Sequence, residues 1–367
     1  MRNIGETILE IDLSALEHNF NYLKSKLDPK TKFLGVVKAF AYGSDMVTIA
    51  KKLEELGADY FAVAYVKEGV LLRDAGVKSP ILVLHPQSIN FNELIDRCLE
   101  PSIYSPRILK LFLKCAEEKK QVDYPVHVKF NTGLNRLGFW ESDVDYILKV
   151  LNGRNELKIK SVFSHLAASE DKKERDFSLK QIASFKNTST ELENKLAYSF
   201  HRHMLNTSGI INYPDAQFDM VRSGIGLYGY GNHSEIDKAL KPIATLKTII
   251  SQIHKIEPGE SVGYNRGYTS DGYRVTATLP IGHADGIGRQ YGNGKATVLI
   301  NGKHAPVIGN VCMDMIMIDV TDIDCKEGDE VIVFGAASSA EAFANSGETI
   351  SYEILTAISQ RVKRVIV

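Results

Sequence analysis

The sequence predicts an α/β fold in which an N-terminal (β/α)₈ TIM-like barrel is followed by a mostly β C-terminal domain. Up to about residue 235, short β-branched runs alternate with amphipathic helical stretches, the pattern of a closed parallel barrel surrounded by helices. Beyond that point, runs of strand-like alternation replace the helical periodicity until near the end of the chain. We therefore expect a barrel over residues 1–235 and a mostly β domain over residues 236–367.

The individual elements of the barrel follow from the same periodicity. The first helix is predicted to open with a capping box at Ser14 and Glu17, and a helix beginning near Met46 is predicted to stop at Gly57. The run 7–13 also has strand character, and we expect it to pair with the C-terminal domain rather than the barrel. The eight runs predicted as barrel strands are 33–37, 60–64, 80–84, 101–104, 126–130, 159–163, 199–204 and 218–222.

The C-terminal part contains the strongest local turn signal of the chain. Asn301 and Gly302 form a dipeptide suited to a two-residue hairpin turn, and they follow an alternating run that ends at Ile300. A short helix is predicted over 351–359 and a last strand over 361–367. The remaining apolar runs that predict strands are 275–281, 306–311, 315–320 and 330–334.

Composition excludes several classes of function. The formal net charge of -1 gives no basic field for binding nucleic acid or an anionic membrane. No apolar stretch is long enough for a membrane helix, and the first residues lack the layout of a signal peptide. The four cysteines show neither a CxxC pair nor metal-ligand spacing, so we expect no metal site, reduced thiols and a cytoplasmic protein.

Polar residues follow several of the predicted barrel strands, where function lies in this fold. Burial at a strand end would lower the pKa of Lys38 and let its amine attack a carbonyl, although a lysine that extends to solvent fits equally. Arg136 suits a carboxylate, and the glycines after Arg222 suit a phosphate. His165 and Thr207 follow two further strands. Each residue also has a purely structural interpretation, but together they indicate a carbonyl compound with phosphate and carboxylate groups.

With these residues in place, the chain resembles the bacterial alanine racemase family over essentially its whole length. Some of its segments resemble the Bacteroidetes branch of that family. The stretches that carry the resemblance are VVKAFAYGS, KFNTGLNRLG, FSHLA, LNTSGI, DMVRSGIGLYG, GESVGYNRGY, LPIGHADG, GNVCMDM and TISYEILTAISQRV.

The resemblance implies an enzyme that interconverts L-alanine and D-alanine with pyridoxal 5′-phosphate and supplies D-alanine for peptidoglycan. Lys38 would hold the cofactor as a Schiff base and act as one catalytic base. Tyr264 would be the second base and would come from the other subunit of a homodimer with shared active sites. Met313, also from the other subunit, would offer its backbone amide to the substrate carboxylate. Inversion needs a base on each face of the planar reacting carbon, which this pair provides.

The family pattern also implies how the cofactor is bound. Arg222 would bond the pyridine nitrogen, and His165 would contact Arg222. Arg136 would contact the phenolic oxygen and Lys129, a position at which some relatives carry a carbamylated lysine. The phosphate would be held by Tyr42, Thr207, Gly224, Ile225 and Tyr352.

Several positions depart from the usual family pattern, among them Phe40, Ser44 and Asp45, and alternatives remain open. Asn131 replaces an acidic residue, Asn135 replaces Gly or His, and His283 replaces a tyrosine near the substrate entrance. A serine or broad-specificity racemase is the least separable alternative, because methyl and hydroxymethyl side chains differ little. A non-catalytic pyridoxal-phosphate-binding protein and a racemase-like chain without activity are further alternatives. A decarboxylase of this fold is disfavoured, because Glu260 replaces the arginine of its usual turn.

Overall fold

A closed barrel of eight parallel strands forms the first part of the chain. The computed structural model describes residues 5–196, 198–231 and 234–367. All eight predicted barrel strands are confirmed, and the last pairs with the first, with Leu34 opposite Arg222. After β1 (Ile8–Ile11), which lies outside the barrel, the barrel strands are β2 (Lys32–Val36), β3 (Tyr60–Val63), β4 (Ile81–Val83), β5 (Glu100–Ile103), β6 (Tyr124–Lys129), β7 (Leu157–Phe163), β8 (His201–His203) and β9 (Met220–Ser223).

Helices connect the barrel strands and cover the outside of the barrel. Helix Met46–Glu55 buries its predicted apolar face, including Met46, Ile49 and Leu53. Gly57 follows this helix with a φ of 89°. The helices of this part are Leu13–Lys24, Met46–Glu55, Val66–Asp74, Phe91–Asp96, Pro106–Glu118, Val144–Leu151, Arg175–Leu196 and Thr207–Asn212.

The predicted start of the first helix is wrong. Asp12, not Ser14, is the residue before the helix, and its carboxylate accepts hydrogen bonds from the backbone N–H groups of Ser14 (2.8 Å) and Ala15 (2.9 Å). Both Asp and Ser are good caps, but the chain is extended at Asp12 and already helical at Ser14. Hydrogen bonds to the carboxylate also outweigh its partial burial and lower the pKa of Asp12.

Replacing Asp12 with alanine should destabilise the protein by about 1 kcal/mol, because the first helical N–H groups lose their acceptor. The urea midpoint of unfolding measures this effect. Asp12→Asn is the matched control, since an amide oxygen also caps well, and its midpoint should stay near that of the unmodified protein. Equal losses in both variants would show that charge rather than capping is responsible.

A large sheet forms the second part, so the prediction of a mostly β domain is confirmed. Its order is β11-β14-β17-β16-β15-β18-β10-β1-β19, and β12 and β13 pair separately. The predicted hairpin at Asn301 and Gly302 joins β15 to β16, with positive φ at both residues (47° and 78°). The strands are β10 (Ala244–Ile249), β11 (Gln252–Ile256), β12 (Ser261–Val262), β13 (Tyr268–Thr269), β14 (Arg274–Leu279), β15 (Thr297–Ile300), β16 (Lys303–Ile308), β17 (Ile316–Asp319), β18 (Glu330–Phe334) and β19 (Lys363–Ile366).

The first strand of the chain belongs to this second sheet. β1 pairs antiparallel with β10 and parallel with β19, so Leu9 lies opposite both Leu246 and Arg364. The chain therefore enters the C-terminal sheet before it forms the barrel. The division of the chain between residues 235 and 236 remains a prediction.

Short helices complete the second part. The predicted helix near residue 351 is present as Ser351–Ala357. Helix Ala340–Ser346 was not predicted, although Ser339 caps it by accepting a hydrogen bond from the N–H of Ala342 at 3.1 Å. Ser234–Asp237 is a further short helix. No helix within the described ranges combines the length and apolar character needed to cross a bilayer.

Candidate active site

A cavity of about 670 Å³ opens at the carboxyl ends of the barrel strands. Lys38 follows β2, Arg222 lies in the adjacent strand β9, and Tyr352 reaches the cavity from the second part of the chain. The structure brings together here all the site residues predicted from the barrel. These are Lys38, Tyr42, Lys129, Arg136, His165, Thr207, Arg222, Gly224 and Ile225.

The segment after Lys38 has an unusual backbone. Ala39, Phe40, Ala41 and Tyr42 all have φ of 53° or 54°, the left-handed region, which costs about 1–2 kcal/mol per residue outside glycine. Glu68 holds the segment in place, since its carboxylate accepts hydrogen bonds from the N–H groups of Ala39 (2.6 Å) and Ala64 (2.7 Å). Sequence reasoning missed Glu68, because nothing local marks a helical glutamate as an anchor for a turn 29 residues away.

The surroundings of Lys38 favour the neutral form of its amine. Burial lowers the pKa of its ammonium group, the positive charge of Arg136 lowers it further, and the carboxylate of Glu68 opposes both effects. An amine whose pKa is depressed in this way is a better nucleophile and base near neutral pH than a solvated lysine. The structure therefore favours the reactive interpretation of Lys38 over that of a lysine extending into solvent.

Arg222 is the most heavily bonded side chain of the site. Its Nη1 donates to Nδ1 of His203 (2.7 Å), and its Nη2 donates to the carbonyl of Ser164 (2.6 Å) and to Nδ1 of His165 (3.1 Å). Burial lowers the pKa of Arg222 to about 9, so the guanidinium stays charged at neutral pH. All the hydrogen bonds that Arg222 makes with the described residues come from Nη1 and Nη2, and the residue also lines the cavity.

His165 lies beside Arg222 as a neutral ring. Burial lowers the pKa of His165 well below its ordinary value, and the nearby charge of Arg222 adds to this effect. A guanidinium can only donate, so Nδ1 of His165 accepts the hydrogen bond and its proton lies on Nε2. The ring is therefore a fixed neutral tautomer.

The cavity is strongly cationic. Burial and the positive charges of Arg136, Arg222 and Lys38 together lower the pKa of Lys129 to about 8. No carboxylate is among the described residues that line the cavity. The site is therefore suited to a ligand with more than one negative charge.

The loop that carries Arg136 is organised by one of the residues that depart from the family pattern. The side-chain oxygen Oδ1 of Asn131 accepts hydrogen bonds from the backbone N–H groups of Asn135 (2.9 Å) and Gly133 (3.2 Å). Its side-chain nitrogen Nδ2 donates to Oδ1 of Asn135 (2.9 Å). An amide thus shapes this loop without adding the negative charge of an acidic residue. Asn135 itself has a φ of 56°, a conformation that asparagine tolerates better than most residues.

One end of the cavity is built from hydroxyl groups and close-packed backbone. A Cβ atom on Gly224 would lie 2.2 Å from the Tyr42 hydroxyl, so only glycine allows this approach. The Tyr42 ring stacks on Tyr228 with 4.4 Å between centroids, and burial raises the pKa of Tyr42, which keeps its hydroxyl a donor. The Thr207 hydroxyl also belongs to a residue that lines the cavity, and it accepts from the N–H of Gly226 (3.2 Å). Such a cradle of donors and bare backbone suits a phosphate group.

Tyr264 and Met313 are not brought to the cavity of their own chain. Neither residue lines it, and their exposed fractions are 73% and 58%. They lie in neighbouring segments of the second part, since the side chain of Asn310 donates to the carbonyl of Tyr264 at 2.9 Å. The N–H of Ala284, next to His283, donates to the carbonyl of Met313 at 3.0 Å. These residues form one exposed surface rather than part of the cavity.

A buried lysine with a lowered pKa, a cationic wall and a phosphate-suited end at a barrel mouth define a site for a phosphorylated carbonyl compound. Two family models match the sequence of this chain. The family described as alanine racemase, N-terminal domain, matches residues 11–232, and the alanine racemase C-terminal domain matches residues 243–366.

Known proteins resemble the chain over nearly their whole length. Alanine racemase 1 of Clostridium acetobutylicum is 36% identical over 99% of this chain and 96% of its own. Alanine racemase of Clostridium novyi is 38% identical over 97% of this chain and 94% of its own. The chain belongs to the alanine racemase family.

Solved structures share the fold closely. Alanine racemase of Clostridium difficile superposes with a TM-score of 0.92 at 36% identity, covering 99% of this chain and 96% of its own. Alanine racemase from Bartonella henselae, with covalently bound pyridoxal phosphate, has a TM-score of 0.90 at 29% identity, covering 99% of this chain and 100% of its own.

Proposed function

We propose that the protein is an alanine racemase that interconverts L-alanine and D-alanine with pyridoxal 5′-phosphate. The observation that carries this proposal is the depressed pKa of Lys38 inside a cationic cavity with a phosphate-suited end. The alanine racemase relatives and the neighbour with covalently bound pyridoxal phosphate support the choice of substrate and cofactor. We further propose that the enzyme acts in the cytoplasm, where D-alanine would enter peptidoglycan synthesis.

The residues present fit the cofactor. Lys38 would hold it covalently, and the Nε–H of Arg222 would donate to its pyridine nitrogen. Bound pyridoxal phosphate supplies an electron sink that makes the α-proton of an amino acid removable. Since a guanidinium carries no acceptor, Arg222 would leave the pyridine nitrogen unprotonated. The phosphate would lie among Tyr42, Thr207, Gly224, Ile225 and Tyr352.

Racemisation needs a second base on the face opposite Lys38. We propose that Tyr264 supplies it across a homodimer interface, because Tyr264 is exposed and absent from the cavity of its own chain. Met313, on the same exposed surface, would bring its backbone amide to the substrate carboxylate. Arg136 would bind the substrate in the cavity, and its positive charge would stabilise the phenolate form of Tyr264.

We propose that Lys129 is carbamylated, because an amine with a pKa of about 8 is partly neutral, and a neutral amine can add to carbon dioxide and release one proton to form a carbamate. A carbamate would replace a positive charge by a negative one in a wall that holds Arg136, Arg222 and Lys38. Protein equilibrated with ¹³C-bicarbonate should give one carbamate ¹³C signal, which Lys129→Met should lack. Retention of the signal in that variant would assign the modification to another amine.

One assay tests the proposed function. The purified holoenzyme should form D-alanine from L-alanine, measured beside L-serine as the competing substrate. A hydroxymethyl side chain differs little from a methyl group, so the ratio of the two kcat/KM values decides between an alanine and a broad-specificity racemase. Absence of racemisation for every amino acid tested would favour a non-catalytic pyridoxal-phosphate-binding protein.

A further inference from the structure

A continuous line of hydrogen bonds crosses the barrel interior away from the cavity. Arg222 Nη1 contacts His203 Nδ1 at 2.7 Å, and His203 Nε2 contacts the Ser161 hydroxyl at 2.8 Å. The same hydroxyl contacts His127 Nδ1 at 2.6 Å, and His127 Nε2 contacts the carboxylate of Glu100 at 2.6 Å. Strands β9, β8, β7, β6 and β5 each contribute one member, so the line links five neighbouring strands.

The direction of every bond in this line follows from its two ends. Arg222 can only donate, so His203 accepts at Nδ1 and carries its proton on Nε2, which donates to Ser161. The Ser161 proton then goes to Nδ1 of His127, whose Nε2–H donates to Glu100, a group that can only accept. If His127 were instead doubly protonated, the Ser161 hydroxyl proton would have no acceptor among the described residues.

The three inner members of the line are sealed from solvent. His127, Ser161 and His203 are fully buried, and burial lowers the pKa of His203 well below its ordinary value, as a neutral ring requires. Glu100 begins β5 and borders a second cavity, at the barrel mouth opposite the candidate active site. Its side chain is 12% exposed, so the carboxylate keeps contact with solvent while the rest of the line does not.

We propose that Glu100, His127, Ser161 and His203 form a positioning relay that sets the orientation and hydrogen-bond strength of Arg222 from the opposite end of the barrel. Linked hydrogen bonds polarise one another in a buried environment, so the Glu100 carboxylate strengthens the Arg222–His203 contact. The relay also fixes His203 as the tautomer that presents a lone pair to Arg222. The relay exists in this protein independently of the proposed function; its effect on catalysis rests on that function.

The first test measures the relay without measuring activity. In holoenzyme with ¹⁵N-labelled histidine, the ring nitrogens of His127 and His203 should both show the neutral tautomer protonated at Nε2. Ser161→Ala should shift the ring signals of both residues. A doubly protonated ring or a ring protonated only at Nδ1, at either residue, would overturn the proposal.

The second test asks whether the relay reaches the active site. Ser161→Ala should lower kcat for L-alanine by about tenfold, the effect expected from the loss of one buried hydrogen bond, with little change in KM. It should also move the absorbance maximum of the bound cofactor. Ser161→Thr, which keeps the hydroxyl, should restore kcat and the absorbance maximum; failure to restore them would overturn the relay.

Ser102 provides the matched control for both tests. It is a fully buried serine of β5, and its hydroxyl has no hydrogen-bond partner among the described residues. Ser102→Ala should leave the histidine signals, kcat and the cofactor absorbance unchanged. Equal effects of Ser102→Ala and Ser161→Ala would assign the loss to packing and overturn the relay. If the wild-type protein racemised no amino acid, the histidine signals would still decide the relay.

Discussion

Replacing Lys38 with alanine should lower kcat/KM for alanine racemisation by about 10⁴-fold, the upper range for a positioned general base. The loss should be large because Lys38 is both the covalent attachment point for the cofactor and the base on one face of the substrate. The absorbance band of the lysine-bound cofactor should disappear at the same time. Kinetics of D-alanine formation and the visible spectrum measure the two effects on one sample.

Lys32→Ala is the matched control for Lys38. Lys32 begins the same strand, β2, but lies at the opposite barrel mouth, where it contacts His201 at 3.0 Å. We expect its kcat/KM and its spectrum to stay close to those of the wild-type protein. If Lys38→Ala retained most of its activity or the lysine-bound absorbance band, another amine would have to hold the cofactor.

Replacing Tyr264 with phenylalanine should lower racemisation by about 10²–10⁴-fold, because the second general base is lost. Lys38 would still face one side of the substrate. The variant should therefore exchange the α-hydrogen of one alanine enantiomer with deuterium from solvent and lose exchange of the other. Proton NMR in deuterated buffer measures both enantiomers. Equal exchange of both would contradict a base at Tyr264.

A mixed dimer tests whether Tyr264 acts across subunits. The mixed dimer pairs one Lys38→Ala chain with one Tyr264→Phe chain. Because each site would combine residue 38 of one chain with residue 264 of the other, one site would hold both intact bases and the other neither. The purified heterodimer, isolated through two different affinity tags, should recover about half of the wild-type activity per dimer. A dimer of two differently tagged Lys38→Ala chains should recover none. If the mixed dimer stayed as inactive as its parents, Tyr264 could not serve the neighbouring cavity.

The barrel could be predicted from the sequence because its signal is repeated. Most of its strands are short, largely apolar runs between helical stretches, and parallel strands place their carboxyl ends at one mouth. Lys38, His165 and Arg222 could therefore be assigned to one site before their distances were known. The hairpin at Asn301 and Gly302 was equally predictable, since few residues tolerate positive φ at both turn positions.

The contacts that organise the site were not predictable from local patterns. Glu68 looks like an ordinary helical glutamate, and His203 looks like one of several polar residues in a short strand. Their roles depend on which strands become neighbours and on side-chain directions inside the barrel. The misplaced cap at Ser14 has a simpler cause, because two good capping residues stand two positions apart and only the backbone conformation distinguishes them.

The parallel pairing of β1 with β19 has a consequence for how the chain is made. A ribosome releases Ile8–Ile11 long before Lys363–Ile366. The edge of β1 that pairs with β19 therefore stays unpaired until the end of synthesis. Contacts between such distant segments form slowly, because a long loop must close first. Nascent chains that stall before Lys363 should therefore carry an uncovered strand edge, which makes them better substrates for chaperones and proteases than the finished protein.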